Sequence, residues 1–189
     1  MKVHDSGMPE EDYWDSLFDV AGIVDWLAVP VAADIVEIGC GYGTFTVPLA
    51  QKTSGNVYAF DIDAPMIAAA QKNIRNAGLA NVIFSQRDVL EEGTGLAGAS
   101  VDLVLLFNIL HFSDRRIFLA EAARILKDGG VLAIIHWRKD IHTPRGPALE
   151  LRPEQTQILT DADGLHLHFD GNSKLLKPYH WGMQLLKQS

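Results

Sequence analysis

A chain of 189 residues, 48% hydrophobic and 21% charged, has the length and composition of one globular domain with a full core. Its formal net charge of −8 excludes a broad nucleic-acid footprint, which needs basic surface to neutralise phosphates, but leaves room for one small anionic substrate held by local arginines. Cys40 is the single cysteine, so no intrachain disulfide and no cysteine-cluster metal site are available.

Residues Met1 to Asp15 are acidic and polar, without the basic flank and apolar core of a signal peptide. No apolar run approaches the roughly 20 residues of a membrane helix, so no membrane partner is expected and a reducing, cytoplasmic setting is the default. From Pro9 to Val29, Trp14, Leu17, Phe18, Ala21, Val24 and Leu27 recur at helical spacing, which predicts one helix. After Pro30 comes a strand, Asp34 to Ile38, then the loop Gly39-Cys40-Gly41-Tyr42-Gly43, then a helix from about Phe45 to Lys52. A second strand, Asn56 to Phe60, ends at Asp61-Ile62-Asp63, and a helix follows from Pro65 to Ala77 with Gly78 past its end. Val82 to Ser85 reads as a third strand, and the glycine-rich stretch Glu91 to Ser100 as a loop.

Val101 to Phe107 is apolar after Asp102, as a parallel strand covered on both faces should be. Ser113 is placed to cap a helix from Asp114 to Lys127, which Gly129-Gly130 would end before a fifth strand, Val131 to Trp137. Arg138 to Pro153 reads as a long loop, and Pro153 as the opening of a helix to about Asp163. Leu165 to Phe169 and Trp181 to Leu186 alternate as a final hairpin-like pair. Strands separated by helices predict an α/β, doubly wound parallel sheet, and the last two strands an antiparallel edge.

Three glycines at alternate positions after an apolar strand let a ligand approach bare backbone. The dinucleotide fingerprint wants its third glycine at the sixth position, where this chain has Thr44. Asp61, at the end of the second strand, suits both ribose hydroxyls, with Asp63 as the cap of the following helix. Of two histidines near strand ends, His111 and His136, His111 lies nearer the sheet edge and is the candidate general base; the alternative is a hydrogen-bonded structural histidine. His166 and His168 lack a third ligand in reach and read as surface, so no metal is expected. Arg138, Lys139, Arg145 and Arg152 form a local basic stretch, either a clamp for a substrate carboxylate or phosphate or a solvated loop. Tyr13 and Trp14 form either a lid over the site or a packing stripe with Leu17 and Phe18.

This order of motifs resembles the class I S-adenosylmethionine-dependent methyltransferases. Glu37-Ile38-Gly39-Cys40-Gly41-Tyr42-Gly43 is similar to the family's first motif, Phe60-Asp61-Ile62-Asp63 to the end of its second strand, and Gln86-Arg87-Asp88-Val89 to the segment lining the adenine. Leu126-Lys127-Asp128-Gly129-Gly130 resembles the turn before its fifth strand, with Asp128 where proline is usual. The resemblance implies a seven-stranded, Rossmann-like sheet with an antiparallel last strand and S-adenosylmethionine as cofactor. It implies that Gly39, Gly41 and Gly43 approach the methionine part, that Glu37 orients the loop or reaches the ammonium through water, and that Asp61 holds the ribose. Ile62 would pack on the adenine, Asp88 and the Val89 amide would bind its edge, and the Asn108 carbonyl would hold the ammonium.

The expected organisation is a helical cap over residues 1–30 and a methyltransferase domain over 31–189, a single domain overall. The expected function is direct methyl transfer to oxygen, nitrogen or carbon of a small, neutral or anionic molecule, with Tyr13, Trp14, Arg138 and Arg145 as substrate contacts. Phe107-Asn108-Ile109-Leu110 lacks the Pro-Pro-aromatic motif of base and amide nitrogen methylation, and Cys40 is badly placed for a nucleophile. The alternatives are an S-adenosylmethionine-binding protein without chemistry and a NAD-dependent oxidoreductase; Thr44 speaks against the second.

Overall fold

The computed structural model describes residues 8–189, so the first seven residues of the expected 1–30 cap lie outside the described residues. The chain forms two compact units, the first running to Gly95 and the second Leu96–Ser189. Seven strands, in the order β3-β2-β1-β4-β5-β7-β6, make the expected mostly parallel α/β sheet.

In the first unit, the expected single N-terminal helix is two. Helix α1 spans Glu11–Asp15 and α2 spans Val20–Trp26. Asp19 breaks the run, because its carboxylate accepts a hydrogen bond from the Gly22 amide and so starts a new helix. The apolar spacing is helical on both sides of that break and therefore hides it. Strand β1 (Ile35–Ile38), helix α3 (Thr46–Lys52), strand β2 (Val57–Asp61), helix α4 (Ala64–Asn76) and strand β3 (Val82–Gln86) follow in the expected alternation. The parallel pairings Ile35 with Val57 and Val57 with Val82 set the register. Cys40, Ala59, Ile67 and Ala70 bury against one another, with Val82 and Phe84 packed alongside. A short helix α5 (Val89–Glu92) occupies part of the expected loop, capped by Asp88.

In the second unit, strand β4 (Val101–Phe107) is followed by helix α6 (Arg115–Ile125) and strand β5 (Leu126–Trp137). The helix ends earlier than the glycines suggest, and Ser113 does not cap it; Asp114 holds that position without a side-chain bond. Gly129 and Gly130 instead sit within β5. Val101 pairs with Leu126 and Leu103 with Val131, so residues 127–130 bulge out of the ladder. Helix α7 (Gln155–Asp161) begins where the Gln157 side chain accepts from the Glu154 amide (2.8 Å). Strands β6 (Leu167–Leu176) and β7 (His180–Lys187) pair antiparallel, and β7 runs antiparallel to β5. Leu103 to Leu106, Ile134, Ile135, Met183 and Leu185 are buried almost completely, as strands covered on both faces require. Among the described residues no helix is long and apolar enough to cross a membrane.

Candidate functional site

The loop after β1 turns at Gly39, Gly41 and Gly43, whose φ values of 82°, 53° and 83° are left-handed. A Cβ added at Gly43 would strain a backbone at φ 83° and stand a tight 3.3 Å from the Ala70 Cβ. Asp61 ties this loop down. Its Oδ2 accepts from the Gly41 amide (2.9 Å) and its Oδ1 from the Asp63 amide (3.0 Å). The expectation that Asp63 caps the following helix is corrected: its side chain makes no cap hydrogen bond, and its own amide donates to Asp61. A carboxylate has about four acceptor positions, which these two amides do not exhaust. Burial raises the Asp61 pKa, while the amides of Asp63 and Gly41 oppose that rise.

Glu37 is 2% exposed, and Thr46 Oγ1 donates to its Oε2 (2.5 Å). Burial pushes its carboxyl up to about 8; the Thr46 hydroxyl lowers it and the Asp61 charge raises it further. Among the described residues no cation contributes to that shift. A buried acid in that state suits a ligand that brings positive charge.

The N-terminal segment reaches the same loop. Tyr42 Oη donates to the Pro9 carbonyl (2.7 Å), and Thr44 Oγ1 to Asp15 Oδ1 (2.6 Å). Asn73 Nδ2 donates to Glu11 Oε1 (2.5 Å) and to the Tyr42 carbonyl (3.0 Å). Tyr13 is exposed, whereas Trp14 meets Phe18 edge-on (4.9 Å), and Phe18 meets Phe45 (5.3 Å). Ile62 is half-buried beside Asp61, and Val89 is buried at the start of α5. Asp88 Oδ1 accepts from the amides of Leu90 (3.0 Å) and Glu91 (3.4 Å), so one of its oxygens already caps α5.

In the second unit the strand ends gather a different set. Asn108 takes a left-handed φ of 59°. Its carbonyl lies 3.1 Å from His111 Nδ1, and its Nδ2 lies 3.3 Å from His180 Nε2. A carbonyl only accepts, so His111 Nδ1 carries the proton and Nε2 keeps a lone pair. Burial lowers the His111 pKa, the Asn108 carbonyl opposing, so the ring is neutral near pH 7. His136 and His180 are fully buried, and each is pushed down to about 3. Burial is the main cause for both. For His136, His111 is next, with His180 and Arg152 adding and the Trp137 backbone opposing; for His180, Arg152 adds.

The basic loop does not present its arginines equally. Arg138 is held by Asp140 (2.9 and 2.5 Å), which raises its pKa. Arg145 is exposed, and its carbonyl accepts from Thr143 Oγ1 (2.8 Å). Arg152 is buried, donating to the carbonyls of Pro147 (2.9 Å), Arg138 (2.6 Å) and Arg145 (3.3 Å). Sequence reasoning missed Thr46, His180 and the burial of Arg152, since each acts through a partner distant in the chain. Among the described residues no group of three His, Cys, Asp or Glu side chains is placed to hold a metal ion.

The family described as "Methyltransferase domain" matches residues 35–130, just over half of the chain. A probable S-adenosylmethionine-dependent methyltransferase of Mycolicibacterium smegmatis is 29% identical over 164 residues, covering 83% of this chain and 58% of that protein. The aklanonic acid methyltransferase of Streptomyces sp. strain C5 is 33% identical over 111 residues, 57% of this chain and 50% of that protein. A 23S rRNA (uracil(1939)-C(5))-methyltransferase of Aeromonas salmonicida is 34% identical over 89 residues, 46% of this chain and 20% of that protein. The chain thus spans between a fifth and about three fifths of the length of these relatives. A SAM-dependent methyltransferase from Aquifex aeolicus shares the fold, with a TM-score of 0.80, 22% identity and 94% of both chains covered. The chain belongs to the methyltransferase domain family, as a class I domain of the S-adenosylmethionine-dependent kind.

Proposed function

We propose that this chain transfers a methyl group from S-adenosylmethionine to an oxygen, nitrogen or carbon of a small molecule. The observation that carries the reading is the left-handed glycine loop tied by Asp61, beside a buried Glu37 whose carboxyl burial pushes up. When bound, the cofactor supplies an electrophilic methyl on a sulfonium. Gly39, Gly41 and Gly43 offer it bare backbone, Asp61 keeps acceptor positions for the ribose, and Glu37 favours its positive charge. Ile62 packs on the adenine, Asp88 and the Val89 amide bind its edge, and the Asn108 carbonyl takes the ammonium with its second lone pair. Residues 1–30 act as a cap and 31–189 as the transferase domain.

His111 is the general base in this reading, its tautomer fixed by the Asn108 carbonyl so that Nε2 receives a proton from a hydroxyl or carbon acid. Positioning supplies much of the rate where the nucleophile needs no base. Tyr13, Trp14, Arg138 and Arg145 contact the substrate. An RNA substrate is disfavoured by the net charge of −8, and a thiol nucleophile by the burial that raises the Cys40 pKa.

Calorimetric titration with S-adenosylmethionine and with NAD tests the cofactor; binding of NAD alone would overturn the reading. Transfer of labelled methyl to a metabolite extract separates an enzyme from a binding protein that keeps the site without the chemistry.

A further inference from the structure

We infer that the second unit carries a recognition subsite for a hydroxyl group, formed by Asn108, His111 and His136, and that a phenolic or enolic hydroxyl of the substrate occupies it. The inference rests on the methyl-transfer reading and narrows its substrate class. His136 is fully buried, yet neither ring nitrogen makes a hydrogen bond of good geometry, and Asn108 Oδ1 is buried without a partner. Buried polar atoms are nearly always paired, so three unmet ones in one neighbourhood call for a missing group. The His111 and His136 rings lie 6.2 Å apart between centroids, and the Asn108 carbonyl holds His111.

The chemistry of the unmet atoms selects the group. A neutral imidazole offers one donor and one acceptor, and Asn108 Oδ1 offers another acceptor. A carboxylate has no proton for Asn108 Oδ1 or for the bare ring nitrogen. An ammonium has no lone pair for the ring N–H. A hydroxyl accepts from the His136 N–H and gives its one proton to a single neighbour, Asn108 Oδ1 or a ring nitrogen, with His111 Nε2 taking that proton only when the oxygen reacts. Each histidine has an aromatic neighbour: the Phe112 ring lies 4.2 Å from that of His111, and Trp181 stacks on His136 at 6.3 Å and 29°. Arg152, buried and donating to three carbonyls, adds a positive charge that opposes protonation of His136. That combination suits a phenol or enol better than an aliphatic alcohol.

The test uses the whole chain with 15N-labelled histidine, titrated with phenol, anisole and benzoate while the ring nitrogens are followed by NMR. Phenol is expected to move the His136 resonances, and anisole, which lacks the donor, to bind about tenfold more weakly. Equal responses to phenol and anisole overturn the inference in favour of an apolar pocket, and a preference for benzoate in favour of an anion site. No response to phenol overturns it in favour of a permanently held water. His136→Phe should abolish the phenol response; if that variant does not fold, His136→Gln should weaken phenol at least about tenfold by displacing both polar atoms. An unchanged affinity in the folded variant overturns the inference. Calorimetry with S-adenosylmethionine on the same samples keeps the two readings apart: absent cofactor binding counts against the proposed function, and an altered phenol response counts for or against the subsite alone.

Discussion

Replacing Glu37 with glutamine should remove a pH dependence that the wild-type fold carries. The carboxyl moves from 4.5 in the open chain to about 8 in the folded one, chiefly through burial. Between those values the folded state holds a proton that the unfolded state has released, so stability falls as pH rises. One proton of difference is worth about 1.4 kcal/mol per pH unit, and the window gives a total on the order of 4–5 kcal/mol. Glutamine keeps an acceptor for Thr46 Oγ1 and has nothing to ionise. Urea unfolding at pH 5, 6, 7 and 8 should show the wild type losing stability relative to Glu37→Gln as pH increases. Other titrating groups are common to both proteins and cancel in the difference. Parallel stability curves would show that Glu37 is not held protonated by its burial.

Asp61→Asn leaves one backbone amide facing an amide nitrogen instead of an acceptor, at a cost of about 1–3 kcal/mol. Its melting temperature should drop by about 2–4 °C per kcal/mol, with cofactor affinity down about tenfold by calorimetry; a variant matching the wild type in both refutes the ribose assignment. Gly43→Ala forces a side chain into a φ of 83° and to 3.3 Å from Ala70, costing about 1–2 kcal/mol. Cofactor titration should register a weaker site, and an unaltered affinity would mean the loop tolerates a Cβ. His136 and His180 titrate at about 3 when folded against a model-peptide value of 6.5, so they withhold protons that the unfolded chain takes up. Stability should therefore fall as pH drops from about 6.5 towards 3, and less steeply in His136→Phe; equal slopes in denaturant melts at pH 4 and 6 would contradict the burial argument.

The sheet was legible because its strands are short apolar runs closed by turn residues, as at Val101 to Phe107, where burial on both faces leaves no alternation to misread. The glycine loop was legible because φ > 0 demands a residue type. The break between α1 and α2 was not, since a side chain of Asp19 reaching Gly22 competes with a helical pattern that never falters. The start of β5 at Leu126 was obscured by Gly129 and Gly130, which signal a helix end as readily as the bulge they form. Asp61 carried its acidity openly, but its hold on Gly41 spans 20 positions that local reading does not connect. The pairing of Asn108 with His180, 72 positions apart, depends on β7 folding back beside β5. Arg152 looked like any loop arginine until three carbonyls from its own loop enclosed it.

One carboxylate that holds an amide in each of two neighbouring strand-end loops changes when the entropy of those loops is lost. Asp61 fixes Gly41 and Asp63 as the chain folds, before any small molecule arrives. The freezing of those backbone torsions is charged to folding, which leaves less ordering for any later binding step at that loop. The same arrangement gives the loop little liberty to reshape itself around a larger or differently jointed molecule. The loop's shape is then a property of the fold, set when β1 and β2 pair and Asp61 meets Gly41.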